Sequence, residues 1–203
     1  MDYKQVVRDG YDRCAPEYMK ARERERADLD GLLERLPPNS RVLDLGCGSG
    51  IPVARTLARD HSVVGVDFSR AQLALARENV PGATFIRADL ATIDFTPASF
   101  DAVVAFYVIF HLPRDDQLRL LGSIAAWLKP GGLFLATLSK RNEAAYTEDF
   151  FGIEMFWTNF ALDEYIEHLH GIGFELVEGP RMTSGFNEDQ PPEEHPLVLV
   201  RKR

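Results

Sequence analysis

The chain has 203 residues with 23 Lys+Arg against 31 Asp+Glu, a formal net charge of −8, and 45% hydrophobic residues. That size suits one domain with a real core, and the acidic balance argues against gripping nucleic acid or an anionic membrane, since both need a basic field. Two cysteines, Cys14 and Cys47, are too few for a disulfide scaffold or a structural zinc site, and the longest apolar run, Ala102–Phe110, is far below the ~20 residues of a membrane span.

No apolar stretch follows Met1-Asp2-Tyr3-Lys4, so no signal peptide is expected and a cytoplasmic location is the default. The stretch from Pro16 to Leu36 places Leu29, Leu32, Leu33 and Leu36 on one helical stripe, which Pro37-Pro38-Asn39 ends. The charged run Lys20–Asp30 reads as a solvated helix face. Strands are then predicted at Arg41–Leu45, Ser62–Asp67, Thr84–Arg87, Asp101–Phe106 and Leu133–Leu138. Helices are predicted between them at Ile51–Arg59, Arg70–Asn79 and Asp115–Leu128. Short β-branched runs alternating with helical stretches make βαβ units. The expected fold is therefore α/β, a doubly wound, mostly parallel sheet with helices on both faces. Beyond it, Ser139–Phe160 is too aromatic for a linker and is expected to form a partial lid over the sheet's C-terminal edge. A helix near Leu162–Leu169 follows, then an antiparallel hairpin of Phe174–Glu178 and Leu197–Arg201. The acidic Glu188–Glu194 loop between these strands is expected to be solvated. The expected organisation is one domain over 1–203: a helical cover (1–38), a core (39–138), an aromatic insertion (139–160), and a C-terminal helix with the hairpin (161–203).

The strongest local signal is Asp44-Leu45-Gly46-Cys47-Gly48-Ser49-Gly50, where glycines turn a strand directly into a helix. Glycine permits the tight turn and a close ligand approach, and the helix N-terminus favours a carboxylate or phosphate. A dinucleotide fingerprint would place its third glycine at position 51, which is Ile51, and Asp44 would repel a pyrophosphate. A ligand bearing both an ammonium and a carboxylate suits the loop better. Asp67, 21 residues beyond Gly46, stands where an acid accepts from ribose hydroxyls. An amino-acid end plus a ribose describes S-adenosylmethionine (SAM), whose product is S-adenosylhomocysteine (SAH). Asp89 is then placed for an adenine amino group, with Phe68 and Leu90 sandwiching the base.

Several motifs in order carry a family resemblance: the glycine loop, Gly65-Val66-Asp67-Phe68-Ser69, Ala88-Asp89-Leu90, Phe100-Asp101-Ala102-Val103-Val104 and Leu128-Lys129-Pro130-Gly131-Gly132. From about Tyr11 to Leu138 the chain resembles the class I SAM-dependent methyltransferases of small-molecule type. The resemblance implies a seven-stranded sheet with its last strand antiparallel. It also implies cofactor contacts at Asp44, Gly46, Cys47, Gly48, Gly50, Asp67, Phe68, Ser69, Ala88, Asp89 and Leu90. The start Tyr11-Asp12-Arg13-Cys14-Ala15-Pro16-Glu17-Tyr18 is similar to one that covers the SAM pocket in the family, which adds Tyr11 and Tyr18. Phe156-Trp157-Thr158-Asn159-Phe160 looks like the family's Trp-Ser-His block, but Asn159 replaces the histidine, so no histidine role carries over.

Methyl transfer needs alignment and, for an un-ionised hydroxyl, a base. His111, just past the fourth strand, is the candidate for base or substrate contact, with a purely structural role as its rival; the other histidines receive no chemistry. Cys47 is expected to fill space beneath the cofactor, not to react. Tyr107, His111, Phe151, Trp157 and Asn159 are expected around the acceptor and Phe106 beside the cofactor, with Phe150 and Phe160 as core. No metal is expected. The expected function is SAM-dependent methylation of a small, partly apolar molecule, at oxygen ahead of nitrogen, carbon or sulfur. A non-catalytic SAM-binding partner protein and an NAD(P)-linked reductase are the rivals. Monomer and homodimer both stay open.

Overall fold

A computed structural model describes residues 2–23, 27–183 and 195–203. Parallel strands β1 (Arg41–Leu45), β2 (Ser62–Asp67), β3 (Thr84–Arg87), β4 (Phe100–Ala105) and β5 (Leu128–Thr137) share a seven-stranded sheet with β8 (Phe174–Met182) and β9 (Pro196–Lys202). The order is β3-β2-β1-β4-β5-β9-β8, and β9 pairs antiparallel with both β5 and β8. The doubly wound sheet, its antiparallel last strand and the final hairpin are as the sequence predicted. The acidic 188–194 loop lies outside the described residues.

Strand periodicity builds two apolar layers. Leu43, Leu45, Val103 and Ala105 face α5 (Arg114–Trp127) and α6 (Leu162–Gly171), packing on Leu121, Ile124, Trp127 and Leu169. Val42, Ala102 and Val104 face the other way, toward Leu29, Leu32, Val53 and Leu57, the last three from α2 (Asp30–Leu33) and α3 (Val53–Leu57). Asp44 is one residue out of phase with Leu43 and Leu45, so it falls on the second face. No helix among the described residues is long and apolar enough to cross a membrane.

Two elements differ from the sequence expectation. The first helix, α1, spans Tyr3–Arg22 with Pro16 inside it, and Asp2 caps its start by accepting from the backbone N–H of Lys4 and Gln5. Proline in a helix interior costs roughly 3 kcal/mol or more. Tertiary contacts outweigh that here: Lys4 Nζ lies 2.5 Å from Asp89 Oδ2, Tyr3 Oη donates to Asp116 over 2.5 Å, and Asp12 Oδ1 accepts from Ser69 Oγ and Ala71 N. Within the charged run expected to be solvated, Arg22 is instead 5% exposed. The aromatic insertion is a separate antiparallel hairpin of β6 (Glu143–Phe150) and β7 (Ile153–Asn159). Phe151 and Gly152 form its turn, both at positive φ, as a tight two-residue hairpin loop requires. α5 anchors β7. Gln117 Nε2 donates to Leu112 O and Thr158 O, Arg114 donates to Asn159 O, and Tyr165 Oη donates to Gln117 Oε1.

Candidate active site

The turn after β1 has Gly46, Gly48 and Gly50 at φ +68°, +52° and +77°. These are left-handed values that side chains resist. A Cβ on Gly46 would stand 2.4 Å from Val108 Cγ2, so the loop after β4 closes directly on this turn. Asp67, ending β2, accepts from Gly48 N through Oδ2 at 3.0 Å and from Ser69 N through Oδ1 at 2.9 Å. Burial pushes its carboxyl up to about 6 against the pull of those donors. Asp44 is 2% exposed, and its Oδ2 is buried without a hydrogen-bond partner. Burial first, then neighbouring Asp67, pushes Asp44 up to about 8, with Arg22 opposing. Burial disfavours the charged carboxylate here, and a cation placed beside it would favour that form again.

A cleft with about 650 Å³ of free space opens over this turn, lined by Gly46, Gly48, Asp67, Phe68, Asp89, Leu90 and Phe106, and roofed by Tyr3, Lys4, Tyr11 and Tyr18 of α1. Gln72 of α4 (Arg70–Asn79) also lines it. Gln72 is 1% exposed, and both polar atoms of its side chain lack a partner. Asp89 is engaged on both oxygens, by Lys4 Nζ on Oδ2 and by Ala91 N on Oδ1.

Tyr11, Tyr18 and Tyr107 also line a second, larger cavity, together with Phe110, Glu143, Tyr146, Phe150, Trp157, Asn159 and His195. Three tyrosines thus form a shared wall between two spaces. Arg22 lies two helical turns from Ala15 on the stripe that carries Tyr11 and Tyr18, and its guanidinium sits 4.6 Å from the Tyr107 ring centroid. His111 is locked behind this wall. Its Nδ1 lies 2.8 Å from Phe156 O, which can only accept, so Nδ1 carries the proton and Nε2 accepts from Tyr11 Oη at 2.9 Å. Burial pushes the imidazole down to about 4, leaving it neutral at physiological pH.

The sequence-predicted residues are distributed unevenly over this geometry. Tyr11, Tyr18, Gly46, Gly48, Asp67, Phe68, Asp89, Leu90, Phe106, Tyr107 and His111 meet at the cleft, and Tyr107, Trp157 and Asn159 meet at the second cavity. Asp44, Cys47, Gly50, Ser69 and Ala88 do not line the cleft. Ser69 caps α4, accepting from Gln72 N, and burial raises the Cys47 thiol well above its usual range. Phe151 is 41% exposed at the hairpin tip, and Phe150, expected as core, packs against the Val7, Met155 and Phe156 cluster and also lines the second cavity. His195, given no chemistry from sequence, lines that cavity between Tyr107 and Phe110, each ring centroid 5.3 Å away. Lys4, Gln72 and Arg22 were also missed. For Arg22 the helical spacing from Tyr11 through Ala15 and Tyr18 was an available signal; for Gln72 there was none.

Residues 42–132 match the family model described as "Methyltransferase domain". That stretch, under half of the chain, is similar to a methyltransferase domain. Among similar proteins, the trans-aconitate 2-methyltransferase of Methylobacterium nodulans is 39% identical over 123 residues, covering 58% of this chain and 46% of that protein. The ubiquinone biosynthesis O-methyltransferase of Vibrio cholerae is 36% identical over 121 residues, covering 56% of this chain and 48% of that protein. The chain therefore spans about half the length of these relatives. The magnesium protoporphyrin IX methyltransferase of Synechocystis, solved with SAM, superposes with a TM-score of 0.75 at 15% identity, covering 100% of this chain and 98% of that one. The residues around the turn fit SAM on their own geometry. The unpartnered Asp44 oxygen, the unpartnered Gln72 amide and the left-handed glycine turn suit a zwitterionic head, and Asp67 ends β2 beside them.

Proposed function

We propose that this chain transfers a methyl group from SAM, held in the glycine-turn cleft, to an oxygen of a small, partly apolar molecule held in the cavity of β6 and β7. The observation that carries it is the shared wall: Tyr11, Tyr18 and Tyr107 face both spaces at once, so ligands in the two meet there. When bound, SAM supplies a methyl already activated on a sulfonium. What remains for the protein is alignment, worth about 7–11 kcal/mol of barrier. Asp44, buried just before the glycine turn, orients the ammonium through water, and Gln72 holds the adjoining carboxylate. Asp67 accepts from the ribose, Phe68 and Leu90 flank the base, and Lys4 fixes Asp89 at its edge. The named O-methyltransferase among the relatives supports oxygen as the receiving atom.

His111 serves as a positioning residue. With both ring nitrogens engaged, it holds the Tyr11 phenol in the wall, and the acceptor oxygen ionises without a buried base. The test is SAH release across phenols, carboxylic acids, amines and thiols between pH 6 and 9. Oxygen acids should turn over, with a rate that follows the acceptor's own ionised fraction, and His111→Asn should lower kcat by less than about tenfold. A hundredfold loss in that variant, the scale of a general base, would make His111 the proton acceptor. Release with amines or thiols alone would remove the oxygen assignment, and silence across every class would remove methyl transfer.

A further inference from the structure

The cavity of β6 and β7 has a polar floor whose two ends are chemically different. Trp157 and Asn159 are two residues apart on β7, so both project from the same strand face, and both line the cavity. Trp157 Nε1 is a donor only, and it is buried without a partner. Asn159 is 5% exposed. Its Nδ2 donates to Glu143 Oε2 at 3.3 Å, and because a carboxylate can only accept, this contact fixes which way the amide points. The carbonyl end, Oδ1, is left buried and unpartnered. Protein interiors rarely leave a donor and an acceptor unpaired together. Above them the walls are aromatic: the Trp157 ring centroid lies 5.3 Å from that of Phe110, tilted by 40°, and 5.6 Å from that of Phe150, edge-on at 77°, with Tyr107 alongside.

We infer that this floor reads the acceptor's buried end as a hydrogen-bond acceptor beside a hydrogen-bond donor, so that the cavity takes planar molecules bearing a lactam, amide or hydroxy-carbonyl edge. The inference rests on the second cavity being the acceptor site, as proposed above. A carboxylate in that position would satisfy Trp157 while setting its lone pairs against Asn159 Oδ1, with the Glu143 carboxylate adjacent. A ring nitrogen lacking hydrogen would likewise satisfy Trp157 and leave Asn159 unpaired. A C=O next to an N–H or O–H satisfies both. Lys140 and Arg141 line the same cavity from the connection between β5 and β6, and Arg141 Nη1 lies 3.8 Å from Glu143 Oε1, so its charge is answered by the carboxylate that holds Asn159.

The test uses three probes of matched size, 2-quinolinone, quinoline and 2-naphthoate, titrated calorimetrically into the full chain saturated with SAH. The lactam should bind about tenfold or more tightly than either of the others, because a site built around polar groups rejects analogues that leave them unpaired. Asn159→Leu and Trp157→Phe, the second keeping an aromatic ring, should each bring the three affinities within threefold, with SAH affinity and the circular-dichroism melt as controls for folding. Equal binding across the wild-type panel, a preference for 2-naphthoate, or no probe binding while SAH still binds would each overturn the inference alone. A chain that does not bind SAH would overturn it together with the methyl-transfer assignment.

Discussion

Asp44 shows how one side chain can work against the empty protein in favour of the occupied one. Its carboxyl is raised to about 8 by burial and by Asp67. A folded-state value above the ordinary one contributes stability that is fully present below about 3.8 and lost as pH rises through about 8. The ligand-free wild type should therefore lose melting temperature between pH 5 and 8 in part through this residue. Asp44→Asn should flatten that slope, melt higher than wild type at pH 8, and bind SAM at least about tenfold more weakly, since its ammonium loses a charged partner. Scanning calorimetry over that pH range, paired with SAM titration, measures both. Parallel slopes in the two proteins would remove Asp44 as the source. The aspartate was legible in sequence from its place before the glycines. Its orphaned oxygen was not, because desolvation depends on what packs around it.

α1 and the hairpin of β6 and β7 are the elements that turn a generic cleft into a closed site. α1 is pinned through Asp12, whose Oδ1 accepts from Ser69 Oγ at 2.6 Å and from Ala71 N at 3.0 Å. Burial raises this carboxyl, yet those two donors outweigh it and hold the group below its ordinary range. Asp12→Ala should cost about 1–2 kcal/mol in urea denaturation, the scale of a lost helix cap. It should also weaken SAH binding severalfold, because Tyr11 and Tyr18 ride on the same helix. Unchanged SAH affinity alongside the stability loss would mean that α1 covers the cleft without gripping its contents. The family-like Tyr11–Tyr18 segment was visible in sequence, but its helix was placed too late, since Pro16 argues locally for a start and not an interior. The insertion reads as a lid on its aromatic content, and its hairpin is hidden because Tyr146, Glu148 and Phe150 share one strand face without an apolar alternation and Phe151-Gly152 is not a typical two-residue turn pair.

At the scale of the molecule, the formal charge of −8 surrounds a cleft lined by Asp67 and Asp89, with Asp44 buried just before its glycine turn. SAM carries one more positive charge than SAH, so the field should steer the donor in and release the product without resistance. Stopped-flow association of SAM should slow by about tenfold as the screening length shrinks from roughly 30 Å at 0.01 M salt to roughly 3 Å at 1 M, while SAH association changes little. An equal salt response of the two ligands would show that the charge serves other ends. The same surface leaves the acceptor cavity mixed, with Lys140, Arg141, Glu143 and Glu148 all lining it.

What the sequence by itself determined is everything governed by short range. The alternation of strands and helices, the left-handed glycine turn after β1, the acid at the end of β2 and the antiparallel pairing of the last two strands all follow from local pattern and spacing. Only the tertiary structure decided which side chains converge. Tyr11 meets His111 across 100 residues, Arg22 turns inward beneath Tyr107, His195 arrives from the start of β9, and Trp157 and Asn159 are left with unanswered polar atoms. Those outcomes depend on burial and on the closure of distant segments. Apart from Arg22, whose place on the Tyr11–Tyr18 stripe is readable, no window of sequence encodes them, because each is a property of what the rest of the chain does or does not bring into contact.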